Sequence, residues 1–294
     1  MRRTVLFILI LVGNLTCCWA AVEDDVAQLA QSDLPAERRD ALVTALSSAP
    51  FSEVMPRILP LLVMSPAPAE PGMGPKPWLS DAHSERAKIW YAAGAVWQSH
   101  LRGSPDPRKT ATLLSLLSSA KDVRQQDLLI RALEHQWDAA AEKPLLDILA
   151  QPSAPPNLRV QSAKILLHHS DIRRYFEPAM QLLTSLPPEK SPAAFQEITN
   201  LGYKTHQLSS DQLRALARFG FGLLAAAQVE GKDTSGYFLA RRLGFILQIP
   251  GEFSPDQKSP KYNSGHGLTD DFFKDTERNA MIWYSANKST LLDR

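Results

Sequence analysis

Leucine and alanine recur at spacings of three and four residues along most of this chain, and alternation of β-branched with polar residues is nearly absent. That period gathers apolar side chains on one face of a helix, so the chain predicts helix after helix. Leu113, Leu114, Leu116 and Leu117 form one such run, and Leu128, Leu129, Ala132 and Leu133 form the next. The pattern predicts short helices over 34–48 and 52–64 and a longer one over 81–102. It then predicts pairs, 107–119 with 122–137, 140–150 with 156–169, 172–186 with 192–206 and 210–229 with 234–248, before a last helix over 270–287. Start signals support these boundaries. Ser191 before Pro192 places a cap ahead of a proline in the first turn, and Ser209 with Gln212 three residues on is a capping box ahead of Leu213, Leu216 and Phe219.

Two segments interrupt the period. Residues 65–79 hold Pro66, Pro68, Pro71, Pro75 and Pro77 with Gly72 and Gly74, a composition that excludes helix and reads either as an extended linker or as a surface loop within one domain. Residues 250–269 form a polar stretch around Phe253, Tyr262 and Gly265-His266-Gly267; loops of this length are usually functional or disordered.

The helix pairs repeat themselves about every 34 residues. Glu142-Lys143-Pro144-Leu145-Leu146 aligns with Phe176-Glu177-Pro178-Ala179-Met180, and Asp122-Val123-Arg124-Gln125-Gln126 aligns with Asn157-Leu158-Arg159-Val160-Gln161. Pro144 and Pro178 fall in or near the first turn of the first helix of each pair, and Met55-Pro56-Arg57-Ile58-Leu59-Pro60 is a degenerate copy. A first helix bearing proline, followed by a second that opens on Val-Arg or Leu-Arg and runs through Ala and Leu, resembles HEAT repeats. The resemblance covers roughly 105–249, with weaker echoes at 34–64, and the pair at 210–248 departs from it by lacking both signatures. It implies an all-α fold, an α-solenoid of antiparallel helix pairs wound into a superhelix and used mostly as a protein-binding scaffold. The closing segment, from Phe272-Phe273 to Trp283-Tyr284, resembles the final helix of some exported bacterial HEAT-repeat proteins. Such a helix would cap the open end of the stack with Phe272, Ile282 and Trp283, the last packing near Leu243 and Phe245.

The N-terminus says where the protein goes. Arg2 and Arg3, an apolar run from Val5 to Gly13, small residues at Ala20-Ala21 and acids at Glu23, Asp24 and Asp25 follow the order of a secretory signal peptide over 1–20. An uncleaved anchor and lipidation at Cys17 or Cys18 are the alternatives. These are the only two cysteines, so cleavage after Ala20 leaves a mature chain without disulfides or thiolate metal sites, and with no membrane span. Charge adds little: 32 basic against 31 acidic residues, with no basic stripe to draw nucleic acid or an anionic membrane.

Catalytic patterns are missing. No His-Glu-x-x-His, no Gly-x-Ser-x-Gly and no phosphate-binding glycine loop occurs. His168 and His169 sit about 100° apart on a helix, so they cannot readily share one metal. Ser264-Gly265-His266-Gly267 with Asp270 and Asp271 crowds triad residue types together, but local crowding is not a triad. Trp90 and Trp97, seven apart with Tyr91 and Val96 beside them, read as a core stripe or as an aromatic groove. Phe219, Phe221, Phe238 and Phe245 read as the packing of the last pair, and Leu128 and Leu166 as core leucines.

The expected object has a signal peptide at 1–20, N-terminal helices at 21–64, a linker at 65–79, a helical repeat domain at 80–249, a loop at 250–269 and a capping helix at 270–294. The expected function is non-enzymatic: an exported scaffold, periplasmic or secreted, that binds another cell-envelope protein and carries no cofactor, metal or catalytic residue. Arg124, Gln125, Arg131, Arg159, Gln161 and Lys164, on the second helices of the pairs, are the candidate partner-binding residues. The alternative is an envelope enzyme or enzyme subunit acting on polysaccharide or peptidoglycan, which two converging carboxylates would favour.

Overall fold

The computed structural model describes residues 21–64, 85–200, 202–230, 235–249, 251, 253–255, 262 and 269–292. The signal-peptide and cysteine readings, the 65–79 segment, His83 and the Ser264–Gly267 cluster lie outside them. Every regular element among the described residues is helical. They group into two compact units, one up to Ala141 and one from Glu142.

The first unit contains α1 (residues 21–29), α2 (Ala36–Ser48), α3 (Phe51–Val63), α4 (Glu85–Leu101), α5 (Pro107–Ser119) and α6 (Val123–His135), and ends in a 3-10 turn at Ala139–Ala141. Helix α1 falls in a segment the apolar period had not marked as helix. Helix α4 packs against α2 and α3, and α3 also meets α5 and α6. The helices flanking residues 65–84 therefore belong to one unit. The core stripe reading of α4 holds for Val96 and Trp97, which are buried, and the part-buried Trp90 donates its indole N–H to the Leu62 carbonyl at 3.0 Å, but Tyr91 beside them is 50% exposed.

Local chemistry sets the helix ends. Asp106, Asp122 and Asp171 each accept a hydrogen bond from the backbone N–H two residues on, at Arg108, Arg124 and Arg173. Gly103, with φ of 94°, makes the turn from α4 to α5 in a conformation other residues resist. One buried amide then ties three helix ends together. Gln136 donates from Nε2 to the Leu101 carbonyl at 2.9 Å and accepts from the Asp106 N–H at 3.1 Å, and its own carbonyl accepts from the Thr110 hydroxyl at 2.6 Å. Next to this joint, His100 is buried with Nε2 against the Leu46 carbonyl at 2.9 Å, which requires the tautomer protonated at Nε2.

The second unit contains α7 (Glu142–Ala150), α8 (Pro156–His169), α9 (Ile172–Ser185), α10 (Ser191–Ile198), a 3-10 turn (Gly202–Gln207), α11 (Ser210–Glu230), α12 (Ser235–Ile246) and α13 (Asp270–Leu292). Helix α8 packs against α7, α9 and α10; α10 packs against α11 and α12; α13 lies on both α11 and α12. The Tyr175 hydroxyl of α9 and the Arg174 guanidinium both bond Glu142 at the start of α7, the latter at 2.8 Å. Burial, together with the Glu142 carboxylate, pushes the Tyr175 phenol up to about 12.

Several expectations need correction. The helix predicted over 192–206 ends at Ile198, where the Thr199 hydroxyl bonds back to the Phe195 carbonyl at 2.6 Å, and it resumes as the 3-10 turn beyond Asn200. Leu128 is only half-buried, whereas Leu129, Ile130, Ala132 and Leu133 form the buried face of α6, and Leu166 is buried as expected. The capping box at Ser209 and Gln212 forms reciprocally, with bonds of 3.0 and 3.2 Å.

Candidate functional site

Helix α12 presents two different faces. Tyr237, Ala240, Leu243 and Ile246 are buried toward α11 and α13. Phe238 and Phe245, expected in the same packing, instead point outward at 50% and 53% exposure. They lie seven residues apart, two helical turns or about 10 Å along the axis, with Arg241 between them. The Arg241 guanidinium sits 5.6 Å above the Tyr237 ring. Beside it, Arg242 is half-buried and donates to the Asn200 side chain at 3.1 Å. Burial, reinforced by the neighbouring Arg241, lowers the Arg242 pKa below the ordinary range, and Glu197 acts in the opposite direction.

Helix α10 completes the surface. Gln196 joins Phe238, Arg241, Arg242 and Phe245 around a shallow concavity of about 180 Å³. Glu197 is drawn to the other side, where it pairs with Lys164 of α8 at 3.8 Å. The surface thus offers two half-exposed aromatic rings and two guanidinium groups.

Glycine explains how α10 and α12 approach through α11. A Cβ on Gly220 would lie 2.6 Å from the Phe195 ring of α10 and 2.7 Å from Leu243 of α12. Only a bare Cα fits between them.

The six residues singled out from the sequence divide between the units. In the first, Arg124 and Arg131 are exposed, the latter paired with Asp127 at 2.8 Å, and Gln125 is half-buried. In the second, all three are engaged inward. Arg159 donates to the Leu149 carbonyl that ends α7, at 3.0 Å; Gln161 is 4% exposed; Lys164 holds Glu197. Helix α8 is contacted by α7, α9 and α10, so residues on more than one of its faces are covered. The aromatic surface on α12 was not anticipated. Its signal was present in Phe238, Arg241 and Phe245 at i, i+3 and i+7, once the other stripe of the same helix is assigned to the core.

The closing helix differs in detail from expectation. Phe272 is fully buried, but Ile282 is 61% exposed. Trp283 stacks on Phe221 of α11 at 6.2 Å and meets Phe253 edge-on at 5.7 Å, while Tyr284 stacks on Phe221 at 4.3 Å. Phe221, being buried in α11, offers α13 the aromatic partner that outward-facing Phe245 cannot.

Asp270 and Asp271 are exposed in the first turn of α13, and Asp275 is engaged by the Tyr262 hydroxyl at 2.7 Å and by Arg278. His168 and His169 stack edge to face, and no group of three potential metal-ligating side chains occurs among the described residues. No helix among the described residues is long and apolar enough to cross a membrane. Comparison with known proteins finds no matching family model, no matching curated protein and no matching solved structure.

Proposed function

We propose that this protein is an exported, HEAT-like helical-repeat scaffold that holds another protein of the cell envelope. In this reading the pairs α7–α8, α9–α10 and α11–α12 stack as a short solenoid, and α13 closes it. The contact sequence α8 to α10 to α12 along the second helices, with α7 against α9 along the first, supports the stack. The closing role of α13 is supported by its aromatic contacts with Phe221 and Phe253.

One observation carries the functional reading: Phe238 and Phe245 stand half-exposed on either side of Arg241. Aromatic and arginine side chains dominate the energetics of protein interfaces, because they bury large area and bond charged groups on the partner. The complementary partner presents apolar side chains spaced to meet the two rings and a carboxylate between them for Arg241. Its docking surface thus lies on α12 and α10, further along the row of second helices than Arg159, Gln161 and Lys164.

The variants Phe245→Ser and Arg241→Glu test this. Both positions face solvent, so far-UV circular dichroism is expected to stay unchanged. Retention of the partner on immobilised protein is expected to fall by about tenfold or more for each. Equal retention by wild type and both variants would contradict the assignment.

A further inference from the structure

A second concavity in the same unit is built from three helix ends and has a different chemistry. It is an open concavity of about 460 Å³ between the first turns of α11, the last turn of α12 and the C-terminal half of α13. That volume is in the range of small-molecule sites. Leu213, Ile246 and the Trp283 indole give it a flat apolar wall. Arg214 is the one charged residue among the described residues lining it, and the Asp211 carboxylate bonds its guanidinium from outside that lining.

Arg214 is placed for an anion. Its side chain is only 15% exposed, and its ion-pair partner, Asp211, stands 87% exposed at the rim. A pair with so wet a partner contributes little, so the guanidinium keeps most of its donor capacity for something else. Ser210 opens α11, whose first turn favours negative charge, although the Ser209 cap already takes the Gln212 N–H and Asp211 already places a carboxylate there. The opposing end of α12 does not present its carbonyls bare: Ile249 N–H bonds the Gly244 carbonyl at 2.8 Å and Gln248 N–H bonds the Phe245 carbonyl at 3.2 Å. This closure puts Gln248 at φ of 61°, the left-handed region where glycine is the ordinary residue. A glutamine kept there places an amide side chain in the wall of the concavity.

We infer that this concavity is a binding site for a carboxylate carried on a flat apolar group, the carboxylate meeting Arg214 and the apolar body lying against Trp283, Leu213 and Ile246. Asp211 is then an internal competitor for the guanidinium. The same chemistry is offered by a free aromatic acid and by a peptide chain ending in phenylalanine. The site is independent of the α12 docking surface, and either can fail without the other.

The test uses the folded protein and follows the Trp283 indole N–H resonance, assigned with Trp283→Phe, during titration with 2-naphthoate, neutral 2-naphthylmethanol, and N-acetyl-Ala-Ala-Phe as free acid or C-terminal amide. A hydrogen-bonded charge sets the expected preference for acid over neutral analogue at about tenfold or more. Arg214→Gln is expected to abolish that preference. Asp211→Asn, at an exposed position that leaves the fold intact, is expected to tighten acid binding several-fold. Gln248→Gly is expected to weaken binding while raising Tm, a combination that general loss of structure cannot produce. Binding of naphthoate alone identifies a free small acid, and binding of the peptide acid but not its amide identifies a chain terminus; either supports the site. Equal affinity for 2-naphthoate and 2-naphthylmethanol, an Asp211→Asn affinity no greater than wild type, or no binding by any probe would overturn it.

Discussion

At the scale of single residues, two buried polar side chains, Gln136 and His100, join helix ends, whereas Glu53 Oε2, Gln161 Oε1 and Ser162 Oγ are buried without a hydrogen-bond partner. Gln136 satisfies a helix-end carbonyl and a helix-start amide at once, which is why its amide is buried without leaving a bond unmade. His100 is the neighbouring joint, and it carries a testable pH dependence. Burial lowers its pKa below 6.5; the bond to the Leu46 carbonyl opposes this and Lys109 assists it. A histidine whose folded pKa is depressed binds its proton more readily when unfolded, so the unfolded chain holds more protons between the folded value and about 6.5. Its contribution is therefore complete above that range and is lost as pH falls through it. His100→Gln keeps a donor for Leu46 but does not titrate. Melting curves from pH 7.5 down to 5 are expected to decline less steeply in that variant than in wild type; parallel declines would show that His100 does not titrate differently on folding. Sequence reasoning could not reach this scale. The period put Leu128, Leu129, Ala132 and Leu133 on one apolar face; the last three are buried, but Leu128 lies at its edge, because one residue of rotation on a helix separates core from rim. Gln161 looks like a surface residue until α7, α9 and α10 are all present around α8.

At the scale of elements, the sequence was more informative, because several helix ends are written in local chemistry, though Ser191, expected as a cap, lies inside α10 and its hydroxyl donates to the Pro187 carbonyl at 3.1 Å. The Asp106, Asp122 and Asp171 caps and the Ser209–Gln212 box all depend on residues within three positions of each other, so they are legible without knowing the fold. What local chemistry cannot reveal is which face of an element is covered. Helix α12 has apolar residues on both sides, and only the positions of α11 and α13 decide that Leu243 is core and Phe245 is surface. Element packing gives a prediction with a built-in control. Two glycines lie in α11, two residues apart. At Gly220 an added methyl collides with Phe195 and Leu243; at exposed Gly222 nothing lies within 4 Å. Gly220→Ala gains about 1 kcal/mol of helix propensity but incurs an overpacking cost of about 1–3 kcal/mol, a net loss of up to about 2 kcal/mol. Gly222→Ala takes the gain alone, about 0.5–1 kcal/mol. Urea unfolding of the two variants is expected to shift the midpoint in opposite directions; a shift of the same sign would mean that α10, α11 and α12 do not meet at Gly220.

For the whole molecule, the all-α architecture followed from periodicity, whereas the grouping into units up to Ala141 and from Glu142 did not. The repeat runs across that division in sequence, and spacing alone carries no information about where contacts thin out. It also matched Arg124 with Arg159, although one is exposed near its helix start and the other reaches back to cap α7. Function depends on the surface that remains once the core is subtracted, and that surface concentrates Phe238, Arg241 and Phe245 on α12. Whether this surface holds a protein partner is decided by site-specific photocrosslinking in the cells that make the protein. Photoreactive benzoylphenylalanine is placed at Phe245, and in a separate variant at Lys143, whose side chain is 82% exposed on α7. A discrete adduct with one other protein is expected from position 245 and none from position 143; no adduct from 245, or the same adducts from both positions, would rule out a docking surface on α12.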